Sequence, residues 1–448
     1  MTVAVILAGG ESSRLKPLGD KSLQKFMGVS LLQKHMRQLI EAGITACVVV
    51  TNPQNTAATQ AELLALQPHI AISYTIQDEQ LGMGDAVKRA LKLIDDTEAV
   101  YITQAHDLFR EGFHTHLLAK AGNIQAELLL TGTHMSEYFP GGYFLSEEDP
   151  PANTAAPFRV SGIVEKPGAG NEPSHWVTLV AHWFASAADL KTAMAQTEGG
   201  ALGDHYERAL AIVMQEKRAL VIPHTEPSAS LKYPWHMLDI MELLLGRISG
   251  QHISPQAQIS NNVTIQGNVI IEPGVRMFPG SGVLGPAYIG AGAIIGNGAL
   301  ARSSMIGAQS VIGYGTEVAR SWIGENVWFH TNYVGDSVID DNVSFGSGTV
   351  TGNLRLDEGV IKAVVKGERI ATGRVKLGQI IGSGTRIGIN ASLMPGIIIG
   401  RNTFVGPAVL LNQNVPDEKR VTLKQELEWG ENSAIKSAED RKAFRSKL

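Results

Sequence analysis

Residues 253–295 read ISPQAQ ISNNVT IQGNVI IEPGVR MFPGSG VLGPAY IGAGAI I, with an aliphatic residue at every sixth position: Ile253, Ile259, Ile265, Ile271, Met277, Val283, Ile289 and Ile295. The rhythm returns at Ile381, Ile387, Leu393, Ile399, Val405 and Leu411. Five- and six-residue steps lie between, through Ile306, Ile312, Val318, Ile323, Phe329, Val334, Ile339, Phe345 and Thr351. Neither an α-helix nor a hairpin sheet has that period; a parallel β-helix does. Each hexapeptide then forms one short flat strand whose first residue points inward, and Gly290, Gly292, Gly296, Gly298, Gly382 and Gly384 fall at the corners. With coils stacked roughly 4.8 Å apart, about nine turns of about eighteen residues predict a rod roughly 45 Å long.

The rest of the chain is of another kind. A length of 448 residues exceeds one ordinary core, and the repeat puts a boundary near residue 250. At 44% hydrophobic and 18% charged residues the composition is that of a soluble globular protein, with no run near the roughly eighteen apolar residues of a membrane span. The apolar opening MTVAVILAGG lacks a basic start and reads as a first buried strand rather than a signal. The single cysteine, Cys47, excludes an intrachain disulfide and suits a reducing cytoplasm. A net charge of −5 gives no electrostatic case for nucleic acid. Neither nucleic acid nor a membrane is expected as a partner.

Before residue 230, β-rich runs (VAVILA, ACVVVT, ISYTI, AVYITQ, AELLLTG) alternate with helical patterns such as LLQKHMRQLIEAG and MGDAVKRALKLI. That alternation predicts an α/β sheet covered by helices, whose ligand lies beyond the carboxyl ends of the strands. The first strand runs into Leu7-Ala8-Gly9-Gly10, a loop whose amides can face phosphate oxygens, followed by Arg14.

The stretch LAGGESSRLKPLGDKSLQKFMGVSLLQ resembles the signature of sugar-1-phosphate nucleotidyltransferases. The resemblance implies a Rossmann-like mixed sheet. It makes Arg14 and Lys21 the cations around a nucleoside triphosphate, with Lys25 as competitor for the lysine role; Asp20 stands where the family commonly has proline. Gln77-Asp78-Glu79-Gln80-Leu81-Gly82 resembles the base-reading segment, with Gln77 and Gly82 beside uracil or thymine. Asp107, after the strand AVYITQ, matches the position of a Mg2+ ligand. Gly162-Ile163-Val164-Glu165-Lys166-Pro167 carries the family's EKP motif, implying that Glu165 accepts sugar hydroxyls and Lys166 meets the sugar phosphate, with Gly142 allowing close approach. The implied reaction is attack of a sugar 1-phosphate on the α-phosphorus, expelling pyrophosphate.

Two departures mark this half. The late metal position falls on His236 in Leu231-Lys232-Tyr233-Pro234-Trp235-His236, and imidazole is a poor magnesium ligand. Either His236 reaches the metal, or Asp239 substitutes, or one protein ligand suffices. In VTLVAHWF the family's sugar-binding asparagine is missing, leaving Thr178 as the nearest polar residue.

On the coil, Trp328-Phe329-His330-Thr331-Asn332-Tyr333-Val334-Gly335-Asp336 resembles the acetyltransferase signature of bifunctional amino-sugar-phosphate enzymes, and implies a left-handed β-helix. It implies His330 as general base toward an amine attacking acetyl-CoA, a role suited to imidazole. Tyr333 and Asn353 then hold the acceptor and Lys362 its phosphate, with Gly359 in place of a second lysine. The insertion LRLDEGVIKAVVKGERIATGRVK breaks the hexapeptide period and predicts a protruding loop or hairpin. The family places acetyl-CoA between neighbouring rods of a homotrimer.

The expected organisation is a nucleotidyltransferase domain over 1–232, a helical connector over 233–250, a β-helix over 251–416 and a charged, helix-patterned tail over 417–448. The resemblance extends to about residue 415. Two other readings are a nucleotidyltransferase alone on a structural rod, and a regulatory subunit that binds sugar nucleotides without turnover.

Overall fold

The computed structural model describes every residue except Gln125, Pro140, Glu148, 198–203, 227–228, 435–436 and Leu448. Among the described residues a helix-covered sheet is followed by a triangular rod.

The main path of the sheet runs Phe158–Arg159, Ala219–Pro223, Leu128–His134, Trp176–Phe184, Ala99–Gln104, Thr2–Leu7, Ala46–Thr51, Ala71–Ile76. Thr2–Leu7 is parallel to both its neighbours, whereas Trp176–Phe184 runs antiparallel to both of its own, so the sheet is mixed. Alternation along Thr2–Leu7 sets its two faces. Val3, Val5 and Leu7 enter one apolar core with the helices Gly82–Leu91, Ala187–Gln196 and His205–Glu216. Ala4 and Ile6 enter another with Leu31–Glu41 and Phe113–Asn123. The segment VTLVAHWF, first considered for its polar residue, is the antiparallel strand that joins the two parallel parts.

The rod bears out the sixfold period. Three parallel sheets of eight, nine and eight strands form its faces, giving eight complete coils and the start of a ninth among the described residues. In the first sheet Ile253, Ile271, Ile289, Ile306, Ile323, Ile339, Ile381 and Ile399 stack as one isoleucine ladder. Full burial of such a side chain stabilises by about 1.5–3 kcal/mol, and the ladder, buried from Ile271 onward, adds to the apolar stacks of the other two faces in holding the rod. The corner glycines divide into two kinds. Gly292, Gly298 and Gly384 have positive φ. Gly290, Gly296 and Gly382 do not; a Cβ on any of them would press against the next coil's backbone. Asn262, Asn326, Asn342, Asn390 and Asn402 take the positive-φ position elsewhere, as the short amide side chain allows.

The rod does not stop at residue 416. Arg420–Val421 pairs with Phe404–Val405 and extends the second sheet. KQELEWG forms no helix; the tail's helix is Ala438–Arg445, wholly exposed, with Leu427 and Trp429 also exposed. Among the described residues, the tail's Leu423, Leu427, Trp429 and Phe444 are exposed and do not cap the rod.

The 354–376 insertion is a hairpin, Lys362–Val365 with Glu368–Ala371, but it does not project freely. Ile361, Ala363 and Val365 are buried with Met237, Leu238 and Met241 of the connector helix His236–Leu245. Arg374 clamps the arrangement onto Asp239 and Glu242, the latter at 3.0 Å. That same core takes in Leu15, Leu18 and Phe26 from the sheet body and Tyr288, Met305 and Trp322 from the rod. Trp322 donates through Nε1 to the Lys25 carbonyl at 3.1 Å. The two bodies thus share one apolar seam.

Candidate active site

The loop after the first strand is shaped by hydrogen bonds to its carbonyls. Asn55 donates to the Ala8 carbonyl at 2.8 Å, and Asn52 and Gln80 donate to that of Gly9 at 3.0 and 2.8 Å. Asn55 also donates to Asp20 at 2.8 Å, tying this loop to the short turn Lys21–Leu23. Asp20 caps that turn, accepting from the Ser22 amide at 2.8 Å. Lys21 is thereby aimed at the loop: a Cβ on Gly10 would lie 3.7 Å from its Nζ.

Lys21 Nζ lies 3.0 Å from Nε2 of His106. Burial holds His106 well below the usual histidine range, reinforced by Lys21 itself, so a neutral ring accepts from the ammonium. Burial pushes Lys21 down to about 8, against Asp107 and Asp20, which favour the charged form. Asp107 is raised by burial and lowered by Ser230, Lys21 and Lys232. Its Oδ1 is buried and has no hydrogen-bond partner.

Lys232 links this cluster to the sugar-side motif. Burial lowers it, while Asp107 favours its charge and Arg14 opposes it; Glu165 and Lys166 act on it from the other side. Its ammonium sits 4.0 Å from the centroid of Phe139, and Arg14 lies over Tyr233 at 5.7 Å. Glu165 pairs across the sheet with Gly142, where a Cβ would lie 3.1 Å from Glu165 Oε2, and bonds Lys166 Nζ at 3.0 Å. Glu207, from the helix His205–Glu216, is raised to about 7 by burial with Glu165 adding to the rise. Arg14, Lys21, Asp107, Glu165 and Lys166 therefore share one charged region beyond the strand ends. Lys25 does not; it pairs with Glu325 of the rod at 2.9 Å.

Three expected roles change. Gln77 lies beside Gly9 and Gly82, but its Nε2 is engaged by the Gly82 carbonyl at 2.9 Å and by Asp85 at 3.1 Å. Its donor is committed inside the loop, so Oε1 is what remains for a base. His236 Nδ1 lies 3.1 Å from the Ser230 carbonyl and 3.3 Å from the Lys232 amide, and Asp239 is held by Arg374. No set of three His, Cys, Asp or Glu side chains able to hold a metal gathers among the described residues. Magnesium needs only one or two carboxylates, completing its shell with water and phosphate oxygens. The unpartnered Asp107 Oδ1 fits that role, whereas His236, with Nδ1 engaged, offers only the Nε2 of an imidazole, a poor magnesium ligand. Thr178 is occupied by His182 at 2.9 Å, which in turn meets Tyr206.

Lys232, His106 and Glu207 were missed in the sequence. Lys232 lay in a segment read only for its metal ligand, and nothing local distinguishes His106 or Glu207 from surface residues.

On the rod, His330 is an exposed corner residue whose amide donates to Asn332 Oδ1 at 2.8 Å. Tyr333 and Asn353 meet one coil apart, with Asn353 Nδ2 3.2 Å from the Tyr333 hydroxyl. Lys362 stands on the exposed face of the hairpin and joins neither.

Residues 3–215 match the nucleotidyl transferase family, and residues 380–413 match the bacterial transferase hexapeptide (six repeats) family. A bifunctional sugar-1-phosphate nucleotidylyltransferase/acetyltransferase from Sulfurisphaera tokodaii is 49% identical over 86 residues, 19% of this chain and 21% of that protein. The bifunctional protein GlmU of Methanocaldococcus jannaschii is 38% identical over 113 residues, 25% and 28% of the two chains. The matched stretches thus span between a fifth and three tenths of these relatives' length. A UDP-glucose pyrophosphorylase structure complexed with UDP-glucose aligns with a TM-score of 0.47 at 15% identity, covering 53% of this chain and 96% of its own. Residues 3–215 are thus similar to nucleotidyl transferases, and the matched hexapeptide repeats fall in the three-faced parallel coil that follows.

Proposed function

We propose that the chain is a bifunctional enzyme. Its first half joins UTP or dTTP to a hexose or hexosamine 1-phosphate with release of pyrophosphate. Its rod N-acetylates an amino-sugar 1-phosphate with acetyl-CoA. The observation that carries the first activity is the gathering of Arg14, Lys21, Lys232 and Lys166 with Asp107 and Glu165 in one region where their charges act on one another. Four cations there suit a triphosphate and a second phosphate.

A sugar-phosphate oxygen attacks the α-phosphorus, a new P–O bond forms, and the bond to the β-phosphate oxygen breaks. Positioning and charge neutralisation dominate such transfers, so no protein nucleophile is invoked. The amides of Leu7, Ala8, Gly9 and Gly10 and the side chains of Arg14 and Lys21 hold the triphosphate. Gln77 and Gly82 border the base. Lys166 meets the sugar phosphate, Glu165 the sugar hydroxyls, and Gly142 leaves room for them. Asp107 would hold Mg2+, which when bound would supply further neutralisation of the triphosphate.

On the rod His330 takes the proton of the attacking amine, with Tyr333 and Asn353 holding the acceptor and Lys362 reaching its phosphate. Exposed Tyr314 and Trp328 lie on the coils around His330. Apolar surface of that kind supports a homotrimer in which acetyl-CoA lies between rods. Cys47 is buried, its thiol pushed up to about 12 by burial, as an inert thiol in a reducing cytoplasm would be.

The test is a crossed panel of four nucleoside triphosphates against hexose and hexosamine phosphates, read by pyrophosphate release, with acetyl-CoA consumption measured in parallel. Silence of every pair refutes the first activity. Nucleotidyl transfer without acetyl transfer leaves the monofunctional reading. Binding of sugar nucleotides without turnover leaves the regulatory one.

A further inference from the structure

Arg320 lies one coil before Asp336 and is bidentate on it, Nε to Oδ1 at 2.7 Å and the guanidinium NH2 to Oδ2 at 2.6 Å. The Asp336 side chain is only 5% exposed. Its Oδ2 also accepts from Asn353 Nδ2 at 2.5 Å. The second Nδ2 hydrogen goes to the Tyr333 hydroxyl, which the Arg320 guanidinium faces as well.

The chemistry of these groups leaves one arrangement. A guanidinium only donates and a carboxylate only accepts. Asn353 must therefore present its NH2 to Asp336, because the flipped amide would set a carbonyl oxygen against the carboxylate. Both amide hydrogens are then used, and Asn353 Oδ1 turns away from Asp336. The Tyr333 oxygen, surrounded on its inner side by donors, has its own hydrogen left to point outward.

The backbone supports this geometry. A Cβ on Gly335 would lie 2.6 Å from the Tyr333 hydroxyl and 2.7 Å from Asn353 Nδ2, so only glycine lets the ring fold over it. Thr351, the polar break in the stacked core, accepts from the Gly335 amide at 2.9 Å and donates to the Tyr333 carbonyl at 3.2 Å.

We propose that Arg320 and Asp336 set the hydrogen-bond polarity of the acceptor site. They fix the Tyr333 hydroxyl as a donor and the Asn353 carbonyl as an acceptor toward the ligand. The site then selects a sugar that offers an acceptor and a donor side by side, as adjacent hydroxyl and amine groups do. This rests on the acetyl-acceptor reading of the rod, in which Arg320 and Asp336 are positioning residues.

The variants are Asp336→Asn, which lets the Asn353 amide turn over, and Arg320→Met, with Arg320→Lys as the conservative partner. In acetyl transfer to glucosamine 1-phosphate, Asp336→Asn and Arg320→Met raise KM about tenfold while kcat stays within about twofold, and Arg320→Lys recovers most of the loss. Nucleotidyl transfer by the same preparations is unchanged, which excludes misfolding. Unaltered KM in both Asp336→Asn and Arg320→Met overturns the inference. A second readout needs no turnover: hydrogen exchange of the Asn353 side-chain amide, assigned by its loss in Asn353→Asp. Both hydrogens are protected in the unsubstituted protein and become labile in Asp336→Asn; free exchange in the unsubstituted protein overturns the inference. Absence of acetyl transfer with protected amide hydrogens would instead count against the enzymatic reading alone.

Discussion

In the sheet body Lys21, His106 and Asp107 are buried against one another, whereas on the rod His330 stands exposed at a corner. The first cluster draws on residues 14, 21, 107, 166 and 232, far apart in the chain and joined only by the sheet's crossovers. The second draws on 320, 333, 336 and 353, brought together because successive coils stack. A site assembled by topology can bury charge and shift its acidity. One assembled by a repeat stays on the surface of a thin rod, where orientation must come from hydrogen bonds such as those of Asp336.

The comparison breaks if the two sites fail to act separately. His330→Ala is expected to lower acetyl transfer by about 10²- to 10⁴-fold, the range for losing a general base, while pyrophosphate release stays unchanged; free thiol from coenzyme A reports it. Lys21→Ala should cost about 10²- to 10³-fold in nucleotidyl transfer, as loss of a preorganised charge-stabilising group does, without touching the acetyl assay.

Stability should not separate so cleanly, because Trp322, Phe26 and Met241 share one core. Ile323→Ala in the isoleucine ladder is expected to destabilise by about 2–5 kcal/mol. Denaturant unfolding followed by fluorescence and by loss of nucleotidyl transfer should give one coincident transition; two would mean that the seam does not couple the bodies.

A pH profile sharpens the contrast. Lys21 is pushed down to about 8 by burial, and its cationic form is the one that meets phosphate. The kcat/KM of nucleotidyl transfer should fall as pH rises through about 8, and Lys21→Arg should remove that fall. The smallest effect is at the hairpin, where Arg374→Ala breaks ion pairs to the half-exposed Asp239 and Glu242 and should destabilise by about 1 kcal/mol.

The rod was legible almost residue by residue, since the period that names it also selects its inward positions. Thr351, a polar member of that period, accepts from the Gly335 amide. The nucleotide side was legible through its motifs, and Lys21 rather than Lys25 faces the glycine loop. What escaped was partnership. Lys232 sat in plain view within a quoted segment, but its value comes from Asp107, Arg14 and Glu165 around it. Gln77 carried the right amide, already engaged by Gly82 and Asp85.

The spacing of aliphatic residues alone determined the coil, and alternating runs determined the helix-covered sheet, because both follow from which side chains must leave water. Tertiary structure decided which charges lose their solvent and which amides find a carboxylate, since desolvation and hydrogen-bond polarity depend on neighbours distant in the chain. It also decided that the insertion folds back on the connector helix, because Ile361, Ala363 and Val365 find their apolar partners there.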